Sequence, residues 1–335
     1  VENSNVQLQQ YGGKGAIQSL SIRGLTTSHN KVKWNGLQIN SLTLGMFDFG
    51  GLASGNFSEL KLYKGSTIEN DGDGAIGGAI HLNNKRDFNK GISINLNSAA
   101  GSFGTYSSGI SGAISRKSFI YTLSYKREVA QNNFEYKNYK KIGKPVVIQD
   151  DAEFWSTNII QEVFVKTKKI KLKSVTWLNG KRKNIPKLLT EGKPSKTHNA
   201  DSSLRSVIGF ESRVKNVLLD GVFGVDKQWY KYDNPGIAFT YYVTTNQQST
   251  VNAKYSYKKL LFKAKSNLQF QSVRNNNYQG EKNRALSFSN LSTKYVSKKE
   301  RFKGSFIVGV QTENTKNIVY PLTLLNYKYG FKFIE

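Results

Sequence analysis

The chain of 335 residues carries 49 Lys and Arg against 23 Asp and Glu, a net charge of +26, with 12% aromatic residues and no cysteine. The missing cysteine excludes disulfide scaffolds, thiolate metal sites and cysteine nucleophiles, and the aromatic and β-branched content argues against disorder. No apolar run approaches the ~18 residues of a membrane-crossing helix, which leaves strands that hide their hydrophobicity in alternation.

The charge divides the chain. Residues 1–85 hold seven basic and six acidic residues, a net of +1, and residues 86–335 carry the remaining +25. Such an asymmetry predicts two structural units, 1–85 and 90–335. In the first, Gly-rich turns separate short strands predicted at 20–23, 31–34, 37–40, 59–64 and 79–82. Gly72 to Gly77 reads as the G-x-G-x-x-G dinucleotide fingerprint, but Ala79, Ile80 and Leu82 continue as a strand where that fingerprint needs a helix. Asp71 and Asp73 suggest a calcium loop, yet Leu82 stands at the twelfth position in place of the bidentate Glu. His29, His81 and His198 are isolated. The reading is therefore no metal, no cofactor and no catalytic constellation: not an enzyme.

The second unit alternates with period two. From Leu260 the even positions run Leu260, Phe262, Ala264, Ser266, Leu268, Phe270, and the odd positions run Leu261, Lys263, Lys265, Asn267, Gln269, Gln271. Phe119, Tyr121, Leu123 and Tyr125 share a face, as do Phe302, Phe306, Val308 and Val310. Twelve antiparallel strands are predicted, at 91–100, 105–116, 118–128, 155–167, 170–180, 202–214, 217–230, 237–257, 260–273, 284–297, 301–312 and 321–334. Most exceed the five or six residues common in soluble sheets and reach the ~9–11 that a tilted membrane strand needs.

Short basic turns fall at Arg116-Lys117, Lys168-Lys169, Lys215-Asn216, Lys258-Lys259 and Lys298-Lys299, and longer polar stretches at 127–154, 179–202, 228–236, 274–283 and 313–320. Short turns at one end and long loops at the other are the plan of an outer-membrane barrel. Trp155, Trp177, Trp229, Tyr230 and Tyr320 sit near the loop-side strand ends, where an interfacial aromatic girdle is expected. A soluble β-sandwich fits less well, because one strand face is Lys-rich and a dry core would leave those charges unpaired. The lysines follow strands and turns with no helical stripe, which removes the nucleic-acid reading of a basic chain.

Four motifs in the first unit then stand in order: Ser21-Ile22-Arg23-Gly24, Trp34-Asn35-Gly36-Leu37-Gln38-Ile39, Glu59 through Gly65, and Gly74-Ala75-Ile76-Gly77-Gly78-Ala79-Ile80. Together they resemble the plug domain of TonB-dependent outer-membrane receptors, nearest to the cobalamin receptor group in the stretch 15–29 and the loop 40–48. The resemblance implies an N-terminal α+β plug followed by an antiparallel transmembrane β-barrel of a family with roughly 22 strands, about twelve of them here. It also implies that the plug lacks its N-terminal part, with the TonB box upstream of Val1, and that the barrel lacks its C-terminal part. The partners it implies are TonB, outer-membrane lipid and a scarce small molecule, cobalamin or a siderophore. The location it implies is the outer membrane of a Gram-negative bacterium.

Carried over by position, the ligand-contacting plug residues are Ile17, Ser19, Thr26, Leu44 and Gly45. Thr26 stands where Asn is typical and Gly45 where Ser is typical, while Asn35 replaces an Asp and Ser66 a Pro. Arg23, Glu59 and Lys61 are expected at a polar, wet plug–barrel interface. The leading expectation is TonB-driven import of a corrinoid. The alternatives are a metal-chelate receptor on the same scaffold and a structural barrel without transport.

Overall fold

The computed structural model describes residues 6–52, 57–65, 76–187, 195–277, 280–296, 302–314 and 316–327. The G-x-G-x-x-G run up to Ala75, Asp71, Asp73, Ser66 and the turn Lys298-Lys299 lie outside that set.

The first unit opens with an antiparallel hairpin of β1 (Val6–Gln10) and β2 (Gln18–Ile22). A mixed four-stranded sheet follows, built from β3 (Asn30–Trp34), β4 (Leu37–Gln38), β5 (Glu59–Lys64) and β6 (Gly78–Asn83) in the order β4-β3-β6-β5. β3 and β6 run parallel, and the other neighbours run antiparallel. Asn35-Gly36 closes β3 onto β4 with positive φ at both residues, 52° and 96°. That is the tight two-residue turn that Asn-Gly favours. Ile22, Val32, Trp34, Leu37, Ile80 and Leu82 are buried, giving this small unit an apolar interior. Its helical content among the described residues is limited to two 3-10 turns, Thr27–His29 and Phe49–Gly51, so the helical part of the expected α+β plug is reduced to these.

The second unit is one sheet. Its strands are β7 (Gly91–Gly101), β8 (Thr105–Ser115), β9 (Phe119–Ala130), β12 (Phe154–Lys166), β13 (Ile170–Asn184), β14 (His198–Val214), β15 (Val217–Asn234), β16 (Ala238–Tyr257), β17 (Leu260–Asn275), β18 (Glu281–Val296), β19 (Phe302–Glu313) and β20 (Lys316–Tyr327). Each pairs antiparallel with its chain neighbour, and the sheet stays open between β7 and β20. Between β9 and β12, β10 (Glu135–Lys137) and β11 (Val146–Ile148) form a small separate hairpin. The twelve-strand meander is the one predicted. The short β1, β10 and β11 are not anticipated, because three to five residues of alternation do not stand out from polar loops.

Two other differences have one cause. The polar stretch 228–236 is mostly strand and 274–283 is half strand: β15 runs to Asn234, β16 starts at Ala238, β17 runs to Asn275 and β18 starts at Glu281. β14, β15 and β16 reach 17, 18 and 20 residues, beyond what a bilayer crossing needs. Their outer ends carry Lys, Tyr, Thr and Asn on both faces, so hydropathy cannot tell a solvated hairpin from a loop. Cross-strand hydrogen bonding makes that choice. Likewise Pro321 falls inside β20 and does not start it, opposite Val308 of β19.

Burial in the sheet is inverted. In β17, Leu268 and Phe270 are exposed while Asn267 and Gln269 are buried. Ile110, Ile114, Leu123, Leu172, Ile208, Phe223, Val251, Leu291 and Phe306 repeat the pattern across the outer face. Glu162, Arg205, Asp226, Asn246 and Gln248 face the other way and are buried against the first unit or one another. An apolar outside around a polar inside is the arrangement of a strand that faces lipid on one side and a lumen on the other.

The contact between the units is less wet than the sequence suggests. The Trp34 ring lies 5.7 Å from that of Trp177. Ile160, Val175, Val207 and Val222 join the plug residues in a single apolar cluster. Arg23, Glu59 and Lys61 do not make the polar part: Glu59 pairs within the plug, with Lys85 at 2.7 Å and Lys61 at 3.4 Å, and Arg23 lies beside Gly65. Instead Arg86 pairs with the fully buried Glu162 at 2.6 Å, and Asn84 donates to the same carboxylate. Lys14 pairs with Glu128 at 2.8 Å. Barrel amides also cap the exposed edge of the plug sheet. Gln38 N–H donates to Gln248 Oε1 at 3.0 Å, and its carbonyl accepts from Asn246 Nδ2 at 3.1 Å. Gly36 carbonyl accepts from Gln248 Nε2 at 3.0 Å.

Candidate ligand cavity at the plug apex

The plug turns its loop-rich end toward the long loops. Asn132, just past β9, holds the turn at 13–15 from both sides: Lys14 N–H donates to its Oδ1 at 2.9 Å, and its Nδ2 donates to Lys14 carbonyl at 3.0 Å. Gly15, at φ 75°, lies directly under the Phe154 ring, and a Cβ there would enter the ring. The loop after β4 is built on Asn40, whose buried amide stands in for a strand partner. Val32 N–H donates to its Oδ1 at 2.8 Å, and its Nδ2 donates to the carbonyls of Asn30 at 2.9 Å and Gly45 at 3.0 Å. Ser41 N–H to Met46 carbonyl at 2.9 Å closes the loop and leaves Leu44 at its tip, 59% exposed.

Asp48 ends that loop and connects three elements. Its Oδ1 accepts from Gly50 N–H at 2.8 Å, capping the second 3-10 turn, and from Gln18 N–H at 2.9 Å. Its Oδ2 takes the Lys181 ammonium at 2.5 Å, and Lys181 also reaches Asp201 at 3.4 Å. Deeper in, Arg205 lies 3.1 Å from Asp226 and 4.5 Å over the Trp177 ring. Above the loop, Tyr230 and Tyr242 stack with centroids 4.7 Å apart.

These groups enclose a cavity of about 320 Å³ between the plug apex and β13–β16. Ile17, Leu44 and Phe47 line it from the plug, facing Trp177, Tyr230 and Tyr242 on the wall. Lys181, Lys183 and Arg205 supply positive charge, and Asp48 and Asp201 negative. Such a surface takes a large, partly apolar, partly charged molecule on aromatic faces, with polar groups placed to orient it.

The structure brings together two of the five carried-over residues, Ile17 and Leu44. Ser19 lies inside the plug, paired across the hairpin with Gln9, and is buried. Thr26 hydrogen-bonds Ser28 at 3.1 Å and His29 at 3.0 Å, and Gly45 packs near Ser28. Thr26 and Gly45 therefore sit together beside the apex loop, outside the cavity lining. Lys181, Asp201, Tyr230 and Tyr242 are the lining residues that sequence reasoning misses, since their only signal is inward parity on long strands. Trp177 and Tyr230, expected in the girdle, point inward, while Trp155 is outward and partly exposed beside Arg127. Trp229 shares the outward parity of Phe223 and lies under Lys227. The side chain of Tyr320 lies outside the described set.

Residues 2–79 match the family model TonB-dependent Receptor Plug Domain. The sheet that surrounds them has the lumen-polar, outside-apolar wall of that family. The first unit is a plug domain of the TonB-dependent receptor type. Over 77 residues it is 34% identical to the Vitamin B12 transporter BtuB of Vibrio vulnificus, covering 23% of this chain and 13% of that protein. Over 154 residues it is 28% identical to the BtuB of Photobacterium profundum, covering 45% of this chain and 24% of that protein. Among solved structures, it superposes on the FrpB iron transporter of Neisseria meningitidis (F5-1 variant) with a TM-score of 0.76 at 13% identity, across 96% of this chain and 57% of that one. The chain thus spans little more than half of that structure and matches a quarter or less of the curated relatives. At 13% identity the superposition speaks for the fold: plug inside, strands outside.

Proposed function

We propose that this chain is the plug and part of the barrel of a Gram-negative outer-membrane receptor that binds a corrinoid at the plug apex and imports it when TonB rearranges the plug. The observation that carries the reading is the coincidence of two things. The chain is similar in part to two vitamin B12 transporters, and Ile17 and Leu44 of its plug line a cavity walled by stacked aromatics. A corrinoid is larger than this cavity and would rest one face on it, with the long loops covering the remainder. Ser19, Thr26 and Gly45 then support the loops that present Ile17 and Leu44, a positioning role.

Binding of vitamin B12 to the full-length protein in detergent tests this. Leu44→Asp and Tyr242→Ala should each weaken it by about tenfold or more, the loss expected when a central apolar contact is removed. Uptake should vanish in a strain without TonB. Absence of any corrinoid binding would overturn the ligand. Growth on limiting ligand that survives deletion of the plug would favour a structural barrel.

One observation favours a second ligand class. Lys183 lines the cavity with no carboxylate within ion-pair distance among the described residues, near Lys181 and Arg205. A negatively charged ferric chelate would use that spare cation. Competition of vitamin B12 against a ferric siderophore separates the two, and Lys183→Gln should weaken only the anionic ligand.

A further inference from the structure

We propose that the short-turn rim of the wall is a binding surface for anionic phospholipid headgroups. The inference rests on the membrane-receptor reading above. Four described turns join β8 to β9, β12 to β13, β14 to β15 and β16 to β17. Because successive hairpins alternate ends, all four lie on one edge of the sheet. The register keeps them nearly flush: Phe119 pairs with Val165, Ile170 with Ser212, and Val217 with Tyr255.

Each turn is cationic and none contains an acid: Arg116-Lys117, Lys168-Lys169, Lys215 and Lys258-Lys259. All seven side chains are exposed, and none has a carboxylate within ion-pair distance among the described residues. Two acids stand close to these turns, each beside a lysine of its own: Asp87, next to the Arg116 turn, with Lys90 at 3.8 Å, and Glu211 with Lys171 at 2.7 Å. The opposite rim differs. There Glu135, Asp150, Asp151, Glu153 and Asp233 accompany the lysines.

Next to each cationic turn stands an exposed apolar side chain: Phe119, Ile170, Val214 and Tyr257. Lys258 lies 5.4 Å from the Tyr257 ring. This pairing sets the occupant. Apolar side chains at the last outward positions end in the acyl region, and the ammonium and guanidinium groups one to three residues further on then stand at phosphate level. A soluble acidic partner would need the cations but not the apolar collar beneath them. A phosphodiester headgroup with net negative charge is favoured over a zwitterionic one, because the field of a row of unpaired cations acts within about a Debye length of the surface.

The test uses the full-length protein inserted into vesicles of phosphatidylethanolamine with a minor share of fluorescent phosphatidylglycerol, with energy transfer from a donor dye attached through an Asn216→Cys substitution, in one of the turns, reporting local enrichment. The wild type should enrich the anionic lipid about twofold or more over the bulk, and the enrichment should fall at high salt. The combined variant Lys168→Gln, Lys169→Gln, Lys258→Gln, Lys259→Gln should return it to the bulk ratio. A matched variant at the other rim, Lys140→Gln, Lys141→Gln, Lys144→Gln, should keep it.

Equal enrichment in wild type and rim variant, with both inserted and heat-modifiable on gels, would overturn the lipid surface and leave the receptor reading standing. Displacement by inorganic phosphate beyond that by chloride at equal ionic strength would also overturn it, in favour of a free-anion site. Failure of the wild type to insert would overturn both readings together.

Discussion

The plug and the wall solve burial in opposite ways. In the plug, Trp34, Leu37, Ile80 and Leu82 are inside and the charged residues are largely at the surface, as in any water-soluble domain. In the wall, Leu268, Phe270 and Leu291 are outside, and Glu162, Arg205 and Gln248 are inside. The plug is therefore the solvent for the wall's inner face. Where they meet, neither rule holds alone: an apolar cluster around Trp34 and Trp177 is bordered by buried ions and amide clamps. The lesson is that the plug is anchored by a true apolar contact, and the polar groups set where it sits.

The largest expected effect comes from breaking a buried ion pair on the wall. Arg205→Ala leaves Asp226 buried with its charge partner gone and removes the cation from the Trp177 face. A loss of about 3–5 kcal/mol is expected in urea unfolding of the inserted protein. The double variant Arg205→Met, Asp226→Leu should recover most of that loss, because burying the ions is itself costly.

Reversing the two faces comes next. Leu268→Lys places a charge on the lipid side near mid-strand and should cost about 2–4 kcal/mol in lipid vesicles. Gln271→Lys, of lumen parity on the same strand, should cost well under half of that. Equal costs for the two would contradict the assignment of lipid and lumen faces.

A smaller effect is expected at the plug edge. Gln248→Ala removes the acceptor for Gln38 N–H and the donor to Gly36 carbonyl. About 1–3 kcal/mol should be lost, the cost of orphaned buried backbone groups, and hydrogen exchange at the Gln38 amide should quicken correspondingly.

The smallest is electrostatic and within the plug. The Lys85 and Lys61 ammonium groups hold the Glu59 carboxyl below its ordinary value of 4.5. A depressed carboxyl contributes stability that is present above its unfolded pKa and is lost as pH falls through the folded one. The difference in unfolding midpoint between wild type and Glu59→Gln should therefore be slight near neutrality and should vanish under acid. A difference that grows under acid would reverse the sign.

The wall was legible in the sequence because alternation is local. Leu260 through Gln271 spells out two faces in twelve residues, and a lipid-facing strand must keep that pattern at every step. The plug was legible through four ordered motifs. The cavity was half legible: Ile17 and Leu44 come from the plug, where the motifs lie, whereas Lys181 and Asp201 lie just past the predicted strand ends, and Tyr230 and Tyr242 lie within predicted strands, where inward parity alone does not mark a site. Trp177 was misplaced for a related reason, since an aromatic near a strand end reads as girdle unless its parity is known to face the plug.

By itself, then, the sequence determined two units of different charge, a twelve-strand meander and its short cationic turns. Those properties depend on neighbours within a few residues. Only the tertiary structure decided that Glu162 takes Arg86, that Gln248 and Asn246 grip Gln38, and that Asp48 meets Lys181 across the plug–wall boundary. Each of those contacts joins residues from 76 to 210 positions apart. Their geometry follows from how strand stagger and plug seating fix the two surfaces against each other, which no local pattern encodes.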